Sequence, residues 1–161
     1  MRAAIIITTV LATLAIPAIA QGVDQTIKVG NWDVRRVGGQ YQSCVAFQTA
    51  GDNVALAFGA TTQDRTFVML IDPAGKYEAG QEYGLEYTVD TGKIYKTKAK
   101  ASNATTILQV VGSINDAGPL FTEVESGDNM HLTTNGATYD FSLEGSKAAL
   151  AQVQKCLMAA M

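Results

Sequence analysis

What most constrains this chain is its cadence: from Ile27 to Leu143, short runs of alternating apolar and polar side chains are broken repeatedly by turn-forming clusters. A side-chain period of two marks a strand with one buried face, and Gly, Pro, Asn and Asp supply the backbone angles that reverse a chain. Asn135-Gly136 is the strongest of these turns, because both residues tolerate the positive φ that a two-residue type I′ hairpin demands. Ala50-Gly51-Asp52-Asn53, Asp72-Pro73-Ala74-Gly75 and Asp90-Thr91-Gly92 punctuate the chain in the same way. Strands are therefore expected over 27–34, bulged at Gly30-Asn31, and over 41–49, 54–60, 66–71, 83–89, 93–100, 105–111, 120–124, 130–134 and 138–143. In 41–49 the alternation turns Cys44, Ala46 and Gln48 to one side and Val45 and Phe47 to the other. Residues 66–71 form a continuous apolar run, as a central strand does.

The period changes at the tail. Ala149, Leu150, Val153, Cys156 and Leu157 fall on one stripe of a helix that begins at Gly145-Ser146, with Ser146 expected as its N-cap. The fold class that follows is all-β: an antiparallel sandwich or barrel of about nine or ten strands with a C-terminal α-helix packed on it.

Residues 1–20 read as a signal peptide: Met1-Arg2, an apolar stretch from Ala3 to Ile16, and an A-x-A ending at Ala18-Ile19-Ala20. Residues 21–161 are then a single extracytoplasmic domain, periplasmic or secreted, with no further membrane span expected. The formal net charge is −3. A mildly acidic domain without a basic stripe makes a poor ligand for nucleic acid or an anionic membrane. The two cysteines, Cys44 and Cys156, belong to an oxidising compartment in this reading and are expected to form one structural disulfide.

Candidate chemistry is sparse. Asp90-Thr91-Gly92 matches the aspartic-protease triplet, but a single copy would require a homodimer to bring two carboxylates together, and Lys93 would disturb their shared proton. A hairpin turn accounts for the triplet more simply. His131 is the only histidine and is expected on a strand surface; no G-x-S-x-G elbow accompanies it. One histidine and two paired cysteines make no metal site, and without a Gly-x-Gly phosphate loop no cofactor is expected. Glu82, Glu86, Glu123, Glu125 and Glu144 are scattered along expected strands, Lys96, Lys98 and Lys100 form a basic row expected at a solvated edge, and Trp32 is expected in the core. No residue takes a catalytic role.

Trp32-Asp33-Val34 followed by Cys44-Val45-Ala46, and the tail from Phe141-Ser142-Leu143-Glu144-Gly145-Ser146 through Ala149-Leu150 to Cys156, resemble the invasion-associated locus B family and related proteobacterial envelope proteins. The resemblance implies an exported β-rich domain with structural cysteines, an envelope or host-contact role and no catalytic residue to carry over. Arg35-Arg36 stands where the family pattern places a further cysteine, which leaves a single disulfide. The leading expectation is a non-enzymatic module that recognises an envelope or host protein through a sheet face or edge. The alternatives are an exported inhibitor of a hydrolase acting through a loop or through residues 21–24, and a single-triplet aspartic-type protease centred on Asp90.

Overall fold

The computed structural model describes residues 26–38 and 42–161. The expected leader, residues 21–24 and Tyr41 lie outside the described residues. Ten strands follow one another as β1 (Ile27–Val29), β2 (Trp32–Val37), β3 (Ser43–Thr49), β4 (Ala55–Thr61), β5 (Thr66–Ile71), β6 (Glu82–Val89), β7 (Tyr95–Asn103), β8 (Thr106–Gly112), β9 (Asn129–Thr134) and β10 (Ala137–Ser142). Two α-helices accompany them among the described residues: α1 (Ile114–Ser126) between β8 and β9, and α2 (Ser146–Met158) after β10.

All the strands join one antiparallel sheet in the order β1-β2-β3-β4-β5-β8-β7-β6-β9-β10. The sheet does not close: β1 and β10 remain its edges. It curls far enough for the indole N–H of Trp32, in β2, to donate to the carbonyl of Glu144, just past β10, at 2.9 Å. The first expected strand is two strands, since Gly30 adopts φ 58° and turns the chain between β1 and β2. Asn135 (φ 49°) and Gly136 (φ 79°) make the expected tight turn from β9 to β10.

The main core fills the concave side. Trp32, Phe58, Leu56, Leu70, Ile107, Met130, Leu132 and Phe141 are buried there against Leu120 and Val124 of α1 and Ala149, Leu150 and Val153 of α2. Trp32 is completely buried, its ring 5.9 Å from that of Phe58. Cys44 and Cys156 form the expected disulfide, joining β3 to α2 across 112 residues of sequence.

Three local expectations are corrected. Residues 120–124 are helical, because Ser113 and Asp116 form a capping box and Ala117, Leu120 and Val124 share one buried stripe. Glu123 and Glu125 therefore stand on α1 rather than on a strand. Ser146 is the first residue of α2 rather than its cap: Gly145 holds the cap position at φ 81°, and Ser146 Oγ donates to the carbonyl of Val124 at 2.6 Å, fastening α2 to α1. The lysine row lies on β7, which is an interior strand between β6 and β8, so it is no edge.

Candidate functional site

The convex face of the sheet divides into two halves of opposite character. On β3, β4, β5 and β8 the outward residues are apolar, and the strand registers bring them into two cross-strand rows. One row runs Phe47, Ala57, Met69, Leu108 and the other Val45, Gly59, Phe67, Val110. Val45, Ala57 and Phe67 form a cluster separate from the main core, with Phe47, Met69 and Leu108 packed around it. The Phe67 ring lies across Gly59, where a Cβ would overlap it and force the ring to move. Val110 at 55% exposure and Val37 at 40% carry the patch into solvent.

Charged residues border this patch on both sides, and on β2 Asp33 stands in register with Phe47 and is paired with Lys28. On β2, Arg35 is paired in register with Val45 and lays its guanidinium 4.4 Å from the Phe47 ring centre. On β7, Lys100 is paired in register with Leu108. Among the described residues neither has a carboxylate within ion-pair distance, whereas Lys96 and Lys98 are paired with Glu86 and Glu82. Beyond Lys100 the convex face is polar: Glu82 stands opposite Lys100 in register, and Glu86, Thr133, Thr138, Thr88, His131 and Asp140 continue across β6, β9 and β10. His131 sits exposed in that half, its Nδ1 paired with the Asp140 carboxylate.

The triplet at Asp90 is a structural turn. Asp90 adopts φ 49°, and its carboxylate accepts the backbone N–H groups of Asp128 (3.1 Å) and Asn129 (2.9 Å), tying the β6–β7 turn to the segment after α1.

Inside, Glu123 of α1 accepts the Tyr95 hydroxyl at 3.0 Å, Tyr95 stacks on Tyr87 at 5.1 Å, and Tyr87 donates to Gln109. Burial, then the hydrogen bond to Glu123 and its negative charge, push the Tyr95 phenol up to about 12. Burial is also the main reason the Tyr87 phenol is raised. This knot anchors α1 to the sheet. A second apolar recess, about 210 Å³, opens between the helices, lined by Ile114, Phe121, Leu150, Val153 and Leu157 among others.

Sequence reasoning found Cys44, Cys156 and Trp32 but missed the convex patch. Its signal was present: Val45 and Phe47 were correctly turned away from Cys44, and both faces of residues 66–71 are apolar. No family model and no curated protein matches the chain. Among solved structures, the crystal structure of invasion associated protein B from Bartonella henselae matches with a TM-score of 0.54 and 14% sequence identity, over 82% of this chain and 97% of that one. The two chains share a fold. Among the described residues, no helix is long and apolar enough to cross a membrane.

Proposed function

We propose that this protein is an exported recognition module, akin to invasion associated protein B, that binds an envelope or host protein through the convex face of β3, β4, β5 and β8. The observation that carries this reading is the second apolar cluster on the face turned away from the core. On this face Phe67 is buried, Phe47, Met69 and Leu108 are half-buried and Val110 is exposed, and a partly exposed apolar patch with a polar border is the kind of surface that marks association. Arg35 and Lys100 on its two borders select a partner whose own apolar strip is edged with carboxylates. Export is supported by the leader-like residues 1–20 and by a disulfide of the kind kept in periplasmic or secreted proteins.

The test compares immobilised protein from Gln21 onward with its Val110→Asp variant against an envelope extract and a host-cell surface extract. Val110 is exposed, so the variant keeps the fold while placing a charge in the patch. A partner held by the parent and released at least tenfold by the variant, and weakened by Lys100→Glu, supports the reading. Identical retention by all three proteins sinks it, and a concentration-dependent dimer that Val110→Asp dissolves would replace the foreign partner with a second copy.

A further inference from the structure

The far end of the curled sheet holds a different kind of site. Asp72 ends β5, where the chain turns into the loop that leads to β6. It is 9% exposed and is the one buried charged residue among the described residues. No Lys, Arg or His nitrogen described here lies within 4.0 Å of its carboxylate. Oδ1 accepts the Ala74 backbone N–H at 2.9 Å and Oδ2 accepts the Tyr139 hydroxyl at 2.8 Å. A carboxylate offers about four acceptor positions, so two are used by the protein.

Asp72 lines an open cavity of about 210 Å³ together with Gly75, Lys76, Tyr77, Asn135 and Tyr139. The strand ends that frame it belong to β5, β9 and β10, and mouths of curled sheets are common places for small ligands. Tyr77 is buried and meets Tyr83 edge-on at 5.0 Å. Burial first, then the Asp72 carboxylate beside them, raise the Tyr77 and Tyr139 phenols, so both rings stay neutral at ordinary pH. The cavity thus presents one negative charge and two neutral phenols.

We propose that this cavity binds an alkylammonium group, its N–H donors directed to the Asp72 carboxylate and its charge set beside the tyrosine rings. A buried carboxylate without a counter-ion is costly, and a cationic guest removes that cost. A bare divalent cation is a worse fit, since calcium takes six to eight oxygen ligands and the neutral phenols supply weak ones. An ammonium needs few acceptors and gains from aromatic faces. Lys76, exposed at the rim, leaves the outer end of the guest neutral or anionic. A free small amine and a partner's lysine side chain both satisfy this chemistry.

The test is an amide chemical-shift titration of the protein with n-butylammonium, Nα-acetyl-lysinamide and, as the neutral isostere, n-butanol. The amides of Gly75, Asn135 and Gly136 are expected to move with at least one of the amines at about a tenth of the n-butanol concentration, or less. Asp72→Asn retains the shape of the side chain and is expected to erase that difference. Lys76→Glu, at an exposed position, is expected to tighten amine binding severalfold. Binding of both amine probes supports either source, and binding of n-butylammonium alone restricts the site to free amines. If neither amine is preferred to n-butanol, or if Lys76→Glu leaves the amine affinity unchanged, the proposal fails whether or not Asp72→Asn folds.

Discussion

Tyr95 couples a strand to a helix through a single hydroxyl, and its ionisation reports on that coupling. The phenol is held at about 12 against an ordinary value of 10.0, by burial first and by Glu123 second. The folded state therefore favours the neutral form, and the stability this gives is fully present below about pH 10 and is lost as the pH rises through about 12. Following phenolate absorbance and circular dichroism together, we expect a component of the tyrosine titration, Tyr95 among it, to appear only as the fold fails. Tyr95→Phe should remove part of the late component; a single titration of all tyrosines near 10 would contradict the assignment. Residues whose role follows from one property were legible in the sequence. Trp32 is large and apolar enough to be core, and Cys44 alternates with the right neighbours. Asp72 was read only as part of a turn, because neither its burial nor its nearness to Tyr139 follows from positions 67 residues apart in sequence.

At the scale of elements, the strands and turns were legible because each rests on local chemistry: alternation within a run and a positive-φ residue between runs. The element misread was α1. Gly118 and Pro119 interrupt its sequence, and a proline inside a helix removes one backbone bond, so 120–124 in isolation reads as a short strand. The governing signal lies further upstream, in Ser113 three residues before Asp116, with the two side chains satisfying each other's backbone N–H groups. If that box offsets the proline, Ser113→Ala should lower the stability by about 1 kcal/mol, read as a lower urea midpoint at unchanged slope. A midpoint equal to that of the parent would mean that the Glu123–Tyr95 bond and the core face hold α1 without its cap. The lysine row shows the complementary limit: its alternation was correct, but which strands flank β7 depends on the order of the whole sheet.

For the molecule as a whole, the informative fact is that β3 is tied covalently to α2 while the sheet remains open. The disulfide joins β3 to α2, and α2 packs on β2, β3 and β4, so the link bears on the half of the sheet that carries the convex apolar patch. The other half, from β7 to β10, is held by strand pairing, by the tyrosine knot and by the short main-chain link from β10 to α2, with no disulfide to the helix among the described residues. Closing so long a loop stabilises a fold by up to about 4 kcal/mol on the chain-entropy argument. The double variant Cys44→Ala, Cys156→Ala should therefore lose up to that amount, and the loss should be uneven. Hydrogen exchange is expected to speed up first in α2 and β3, with β6 and β9 following only at global unfolding. A uniform acceleration across both halves would show that the sheet opens as one unit and that the disulfide acts on the unfolded chain alone. An uneven loss would also weaken partner binding at the convex face more than amine binding at Asp72, which follows the end of β5 opposite to Thr66, the residue in the Cys44 row.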